Sequence, residues 1–293
     1  MRHRYPVMLK TVFDNVRAAA EELRHLLEEL LLKYSALDRD YSGLVATSGN
    51  HTYRKLNEGG VLLQGKLLKE YRRFNAIVRC LLREQPKAII VTLRNAETVL
   101  ERIIEQERTW CATTSEALKE ASEALQSLID LLSRLYDPSH GESSYIPDTN
   151  ALFYNLKLES WKFAESPKFT LILLPTVLSE LDRLKINHPN PGLRKKAETL
   201  IRQIKEYRRR GRLSEGVPIL KDRIQLVAVA TEPGKDSFLP WLDSSNSDDR
   251  ILANTFEVMR SRPRSAVILV TRDINLQNKA EIALIPFVEP PEP

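Results

Sequence analysis

The chain has very little cysteine. Its 293 residues include only Cys80 and Cys111. Their separation matches neither the paired spacing of a zinc site nor a set of disulfides, so a fold based on either one is excluded. Cysteine-poor chains of this kind are typical of a reducing compartment. We therefore predict a cytoplasmic protein without a disulfide framework.

Long apolar runs are also missing. No stretch approaches the roughly 20 apolar residues that a membrane-spanning helix needs, and the first residues lack the apolar segment of a secretory signal. We therefore expect no membrane partner. The hydrophobic content of 42% is enough for a packed core, and the net charge of +5 is weak support for a nucleic-acid partner.

The first half of the chain has the periodicity of helices. Apolar residues recur every three or four positions from about residue 7 to 137, for example Leu23, Leu27 and Leu30. The last helical pattern, at about 88–135, is interrupted near residues 111–115, and the Thr-Ser-Glu sequence from Thr114 resembles a helix start. We predict an all-α bundle of three or four long helices over residues 1–138. Residues 38–57 are predicted to be a loop between the first two helices.

The pattern changes at residues 137–141, whose composition predicts a linker. After it, β-rich runs alternate with helical stretches. The runs lie at 145–146, 170–174, 224–229 and 266–270. This alternation predicts an α/β domain over residues 144–289 with a mostly parallel sheet. The proline-rich residues 290–293 are predicted to be a disordered tail.

Acidic residues stand where the predicted strands meet helices: Asp148, Glu180, Asp248 and Asp273. In an open α/β sheet, ligands bind at the edge formed by the carboxyl ends of the strands. Carboxylates that converge there repel one another unless a hard divalent cation binds among them. The pattern therefore predicts a Mg²⁺ or Mn²⁺ site, oriented by Thr149, Asn150 and Thr271. For any single acid, a helix cap is the alternative interpretation.

The segments around these acids resemble, in order, the four motifs of the PIN domain, a metal-dependent nuclease fold. The segments are 148–152, 177–185, 248–253 and 271–280. The fourth resembles the version found in PhoH-type and related eukaryotic (PINc-like) members. The resemblance covers about residues 144–289 and implies a three-layer α/β/α domain with a central, mostly parallel sheet. It does not extend to the helical half.

The resemblance implies a metal-dependent endoribonuclease that hydrolyses RNA phosphodiester bonds. Its catalytic metal ligands would be Asp148, Glu180, Asp248 and Asp273. The family keeps the first position of the third motif acidic, so we assign the ligand to Asp248 and keep the adjacent Asp249 in reserve. Asp182 lies nearly opposite Glu180 on a helix and is predicted to be a surface charge. Only one of the five histidines, His188, lies in this domain, and none is placed to act as a general base.

A basic segment follows the Glu180 motif. It contains Arg194, Lys195, Lys196, Arg202, Lys205, Arg208, Arg209, Arg210 and Arg212. Such a density of cations predicts contacts with RNA phosphates, and Tyr207 is a candidate for stacking on a base. The alternative is a solvated amphipathic helix with a buried apolar stripe.

Three other functions stay open at the level of sequence. The PIN-like half could be a non-catalytic RNA-binding scaffold, because a fold alone does not imply activity. It could be a toxin-type nuclease controlled by a partner on the helical domain, or it could cut DNA. The helical domain could recruit single-stranded or structured RNA, bind a protein partner or self-associate, and the sequence does not distinguish these roles.

Overall fold

The computed structural model describes residues 10–39, 51–136, 142–230, 232–234 and 237–293. The chain forms two compact units, one of Val16–Leu135 and one of Met1–Asn15 with Tyr136–Pro293. Residues 10–15 thus group with the C-terminal half, whereas the sequence predicts a helical domain over residues 1–138. Within that unit, the Asn15 side chain donates to the carbonyl of Leu284 at 3.0 Å. The predicted linker at 137–141 lies outside the described residues.

Helices build the unit of residues 16–135. They are α1 (Val12–Glu29), continued by a π-helical turn (Leu30–Tyr34), α2 (Glu58–Leu81), α3 (Lys87–Ile104) and α4 (Thr114–Tyr136). The predicted interruption and the predicted start of α4 are confirmed. Thr113 Oγ1 accepts from the Glu116 amide at 3.1 Å, and the Glu116 carboxylate accepts from the Ala112 amide at 2.8 Å. These reciprocal bonds satisfy amides that the first turn of a helix leaves open. No helix in the described ranges is long and apolar enough to cross a membrane.

A short hairpin occupies part of the predicted loop. Strands β1 (Leu37–Arg39) and β2 (His51–Tyr53) pair antiparallel, with Leu37 opposite Tyr53. The Arg54 guanidinium binds both oxygens of Asp38, each at 2.7 Å. The sequence did not predict these strands because three residues are too few to show an alternating pattern.

The other unit is built on a six-stranded sheet with the order β5-β6-β4-β3-β7-β8. The strands are β3 (Ser143–Pro147), β4 (Phe169–Leu173), β5 (Val217–Leu220), β6 (Ile224–Ala228), β7 (Ala266–Val270) and β8 (Phe287–Val288). The helices are α5 (Thr149–Tyr154), α6 (Pro175–Asn187), α7 (Pro191–Arg208), α8 (Ser247–Ser261) and α9 (Ile274–Ile282), with a 3₁₀ turn at Leu158–Ser160. Only β5 pairs antiparallel. The predicted α/β fold class is confirmed.

The sheet order creates a crevice beside β3. From β3 the chain moves outward through β4 to β6, and it then returns to β7 on the other side of β3. Strands β4 and β7 are buried at every position, as parallel strands covered on both faces should be. Ligand sites in open α/β sheets form where the strand order reverses, outside the carboxyl ends of the strands. Here that place is the carboxyl end of β3 and β7.

The C-terminal residues lie against the sheet unit. Pro290 is buried, and the Asn155 side chain donates to the carbonyls of Pro291 and Glu292 at 3.3 and 3.1 Å. These contacts differ from the predicted disordered tail at 290–293. An asparagine more than a hundred positions away supplies them, so local composition could not indicate them.

Candidate metal centre

Asp148 lies at the carboxyl end of β3, where it caps α5. Its backbone is extended, and its Oδ1 accepts from the Ala151 amide at 2.6 Å. Its Oδ2 accepts from the Thr271 hydroxyl at 2.5 Å, and its own amide donates to the Val270 carbonyl at 3.1 Å. The last two bonds join the ends of β3 and β7 across the crevice. Each carboxylate oxygen has one protein donor and therefore keeps a lone pair for another ligand.

Of the four predicted metal ligands, Asp148 is the one that is buried. The residue is 4% exposed. Loss of hydration raises its pKa to about 6, against the lowering effect of the bonds from Thr271 and Ala151. The negative charges of Asp273 and Glu180 raise this pKa further. A buried carboxylate with acidic neighbours is stabilised by a cation bound among them.

Asp273 caps α9 two residues beyond the residue that binds Asp148. Its Oδ1 accepts from the amides of Asn275 and Leu276 at 2.8 and 3.2 Å, and its own amide donates to Thr271 Oγ1 at 3.0 Å. The Thr271 hydroxyl thus donates to Asp148 and accepts from the backbone of Asp273. One buried side chain fixes the relative position of two acids that lie on neighbouring strand ends.

Glu180 comes from the second turn of α6, which follows β4. The Thr149 hydroxyl, from the first position of α5, donates to Glu180 Oε2 at 2.7 Å. The Glu180 side chain is 27% exposed, and Arg183 approaches it only to 4.0 Å. Thr149 and Thr271 therefore each donate a hydrogen bond to one carboxylate. Asn150 is exposed and, within the described ranges, donates to none of the four acids.

The two adjacent aspartates of the third motif have different hydrogen-bond partners. Both Asp249 oxygens are occupied, Oδ1 by Lys279 Nζ at 2.6 Å and Oδ2 by the Asp243 amide at 2.8 Å. Asp248 is half-buried and has one weak contact, from Asn275 Nδ2 at 3.5 Å. Burial raises the pKa of Asp248, Lys279 lowers it, and Asp273, Asp249 and Glu180 raise it again. Asp248 is thus the member of the pair with oxygens available to a cation.

Helix capping accounts for only part of this arrangement. Asp148 and Asp273 do cap helices, but each uses a single oxygen for this. The cap of α8 is Asn246, so Asp248 is not a cap, and Glu180 lies inside α6. The two remaining acids therefore need another explanation.

The chemistry of the donor set suits a hard divalent cation. Among the described residues, no three His, Cys, Asp or Glu side chains already form a group that could hold a metal ion. The acids nevertheless belong to one electrostatic cluster, because Asp273 and Glu180 each raise the pKa of both Asp148 and Asp248. Carboxylate oxygens at one edge of a sheet are the donors that Mg²⁺ and Mn²⁺ prefer.

The nine cations of the predicted RNA-binding segment have different surroundings. Lys196 donates to the Phe153 carbonyl and Arg194 to the His188 carbonyl, each at 3.0 Å. Three arginines at the end of α7 have local partners: Arg209 pairs with Glu206, Arg212 pairs with Glu215, and Arg210 lies 5.1 Å from the centre of the Tyr207 ring. Lys195, Arg202, Lys205 and Arg208 are exposed. Lys205, Arg208 and Arg212 also line a cavity.

The suggested stacking role of Tyr207 is wrong. Its side chain is buried, and its hydroxyl donates to Glu159. Residues Ala197, Leu200 and Ile204 share this buried stripe of α7. The helix is therefore amphipathic, and its apolar stripe includes the aromatic ring.

The sequence did not predict the role of Lys279 or of Asn254. Lys279 is thirty positions from Asp249, and no spacing rule connects a lysine in one helix to an aspartate in another. Asn254 is fully buried on α8 and donates to the Arg250 carbonyl at 3.0 Å and towards Thr176 Oγ1 at 3.4 Å. A polar residue on the apolar face of α8 was the available signal for Asn254.

Comparison with known families agrees with this geometry. The family model described as the PIN domain matches residues 145–289. No curated protein matches the chain. The PIN domain is generally a metal-dependent nuclease fold. The matched region begins within β3 and ends just after β8, so it includes the other five strands of the sheet and all four acids. The C-terminal half of this chain therefore belongs to the PIN domain family.

Proposed function

We propose that the protein is a divalent-metal-dependent ribonuclease that cuts within RNA chains. The observation that carries this proposal is the pair of bonds through Thr271, which hold the buried carboxylate of Asp148 beside Asp273 at the crevice of the sheet. Glu180 and Asp248 contribute negative charge to the same place. Helix capping explains one oxygen each of Asp148 and Asp273, but it explains neither Glu180 nor Asp248.

In this proposal Asp148, Glu180, Asp248 and Asp273 hold Mg²⁺ or Mn²⁺. Asp249 is not a ligand, because it pairs with Lys279. The bound metal would lower the pKa of a water molecule and stabilise the charge that develops on the phosphate. Thr271 and Thr149 keep two of the carboxylates oriented. Asp148, whose pKa is about 6, is mostly ionised at neutral pH and therefore available to a cation. The mechanism needs no nucleophile from the protein.

The exposed cations of α7 support RNA as the substrate. Lys195, Arg202, Lys205 and Arg208 are exposed on a helix that follows directly after α6, the helix that carries Glu180. Cations in such a position attract a phosphate backbone, and binding through them weakens as salt rises. Single-stranded and structured RNA both satisfy this requirement.

A non-catalytic scaffold is the main alternative, and the retention of all four acids argues against it. A scaffold has no need for a buried carboxylate whose charged form is destabilised by its surroundings. DNA cleavage and control by a partner on the helical unit are further alternatives. A side-by-side assay on matched RNA and DNA oligonucleotides tests for DNA cleavage. Growth arrest on expression tests for a nuclease that is controlled by a partner.

The direct experiment is to incubate the purified protein with total RNA in Mn²⁺ or in EDTA and to map the new ends. We expect cuts in Mn²⁺, none in EDTA, and none from a protein carrying Asp148→Asn and Asp273→Asn. Internal cut positions would establish an endonuclease. Equal cleavage in EDTA would refute the metal-dependent mechanism.

A further inference from the structure

A cavity of about 480 Å³ lies on the far side of α6 from Glu180. Leu178 and Asp182 of α6 line it and are four positions apart, so they share one face of the helix. Glu180 is two positions from each, which places it about 200° around the helix. Helix α6 therefore lies between Glu180, on one of its faces, and the cavity, on the opposite face.

The cavity opens at the same edge of the sheet as the acids. Its lining includes Ala228 and Val229 at the carboxyl end of β6. The Val229 amide donates to the Leu173 carbonyl at 3.0 Å. Strand β6 pairs with β4, which pairs with β3. Neighbouring strands are about 4.8 Å apart, so the end of β6 is roughly 10 Å from the end of β3. A ligand that is continuous with an RNA chain at Asp148 can reach it.

The lining divides into an apolar part and a cationic part. Leu178, Ile201 and Val229 contribute apolar walls. Lys205, Arg208 and Arg212 lie along one side, from the last turn of α7 into the following loop. Lys205 and Arg208 have no ion-pair partner within the described ranges, whereas Arg212 pairs with Glu215 at 2.9 Å. The exposed carboxylate of Asp182 is the acidic group of the lining.

We propose that this cavity binds one nucleotide of the RNA chain, with the base between the apolar walls and the phosphates at Lys205 and Arg208. A nucleotide combines a flat apolar face with an anionic group, which matches the two parts of the lining. The volume is within the range of sites for small molecules, about 300–1,000 Å³. Asp182 offers an acceptor for the ribose 2′-hydroxyl, the group that distinguishes RNA from DNA. The proposal rests on RNA being the substrate, and it adds a binding site to the acid cluster.

The test measures binding without cleavage. A fluorescently labelled oligoadenylate RNA is titrated with the full chain in EDTA, so that failure of the nuclease mechanism does not affect the result. The variants compared are Ala230→Trp, which fills the cavity at constant charge, and Lys205→Glu with Arg208→Glu. The matched control is Lys221→Glu with Arg223→Glu, which changes the net charge equally at exposed positions of the turn between β5 and β6, outside the cavity.

We expect Ala230→Trp to weaken RNA binding about tenfold, in line with the loss of one well-bound base. The cavity double variant should weaken binding at least about tenfold, and the control double variant clearly less. Unchanged binding by Ala230→Trp, or equal losses from the two double variants, would overturn the proposal. Circular dichroism melting establishes that each variant is folded, and Ala230→Ser serves as a small replacement that should bind normally.

Adenosine monophosphate is the second probe, because the same chemistry is present in a free nucleotide. Loss of RNA binding alone in Ala230→Trp assigns the cavity to a nucleotide within a chain. Loss of both ligands extends the assignment to the free nucleotide. An active Asp148→Asn variant with an intact cavity would refute the nuclease mechanism and leave this site standing.

Discussion

The hydroxyl of Thr271, at the end of β7, donates to the Oδ2 atom of Asp148, at the end of β3, over 2.5 Å. The same oxygen of Thr271 accepts from the Asp273 amide at 3.0 Å. The two acids are 125 positions apart in the sequence, yet a single buried side chain sets their relative position. The arrangement places negative charge at a crevice, and among the described residues no lysine or arginine pairs with Asp148.

Replacing Thr271 with valine keeps the shape of the side chain and removes both bonds. We expect the affinity for Mn²⁺ to fall about 10–100-fold, as is usual when a partner of a metal ligand is lost. Calorimetric titration of Mn²⁺ measures this. Thr271→Ser keeps the hydroxyl, so its affinity for Mn²⁺ should stay close to that of the natural protein. Equal affinities for the valine and serine variants would contradict the role given to this hydroxyl.

The ionisation of Asp148 should make the metal-free protein less stable as the pH rises. Its pKa is 3.8 in the unfolded chain and about 6 when folded. Between these values the folded state binds more protons, so the free energy of unfolding falls from about pH 4 to about pH 6 and is then level. The penalty at neutral pH is about 3 kcal/mol for a shift of this size.

Asp148→Asn should therefore be more stable than the natural protein at pH 7.5 in EDTA, and about equal to it at pH 4. Asparagine retains the helix cap and cannot ionise. Urea unfolding at the two pH values measures the difference. A less stable asparagine variant at pH 7.5 would mean that Asp148 stabilises the fold by itself.

Addition of Mn²⁺ should reverse this order. A cation that binds only the folded state stabilises it in proportion to the logarithm of its concentration over the dissociation constant. We expect the melting temperature of the natural protein to rise with Mn²⁺ at pH 7.5 and to return on addition of EDTA. Asp148→Asn should show a much smaller rise. The same rise in both proteins would place the metal elsewhere.

The ion pair of Lys279 and Asp249 should contribute to stability. Asp249 is 5% exposed, and Lys279→Met would leave its charge without its cation. We expect a loss of about 2 kcal/mol in the free energy of unfolding. The double variant Lys279→Met with Asp249→Asn should lose less than the sum of the two single changes, because the unpaired charge is then removed. Additive losses would show that the two side chains act independently.

In the helical unit, Glu97 binds Arg79 through both oxygens, at 2.5 and 2.7 Å, and is 4% exposed. Glu97→Gln should destabilise α2 and α3 by about 1 kcal/mol, because Arg79 is more than half exposed and solvent screens the pair. Faster amide hydrogen exchange in these helices measures the effect. Glu123→Gln removes an exposed pair with Lys119 and should change little. Equal exchange in the two variants would contradict a structural role for the pair of Glu97 with Arg79.

The sequence predicted the elements that have strong periodicity. The leucine-rich helices were predicted because their apolar spacing extends over many residues, and β7 because its five residues are all apolar. The paired strands β1 and β2 have three residues each, which is too few to show a pattern. The contacts of Asn155 with the last residues depend on tertiary packing, which local composition does not encode.

The candidate site was predictable as a set of acids but not in its internal geometry. The four acids were identified because each lies near the place where a predicted strand meets a helix, and the sheet order brings those places to one edge. The preference for Asp248 over Asp249 came from the family resemblance, and the bonds from Lys279 and the Asp243 amide now give it a physical reason. Neither bond has a signature in the sequence. The burial of the Tyr207 side chain was also not predicted, because only packing decides which face of a charged helix is covered.

The most direct test of the account is RNA cleavage in Mn²⁺ by three proteins purified identically. They are the natural chain, the variant with Asp148→Asn and Asp273→Asn, and a matched control with Asp130→Asn and Asp222→Asn, two exposed acids that are not members of the cluster. Asp222 has a φ of 58°, a conformation that asparagine tolerates, so the control should fold normally. We predict cleavage by the natural protein and the control, and a loss of at least about a hundredfold in the site variant. Full activity in the site variant, with contaminating nuclease excluded, would contradict the central claim.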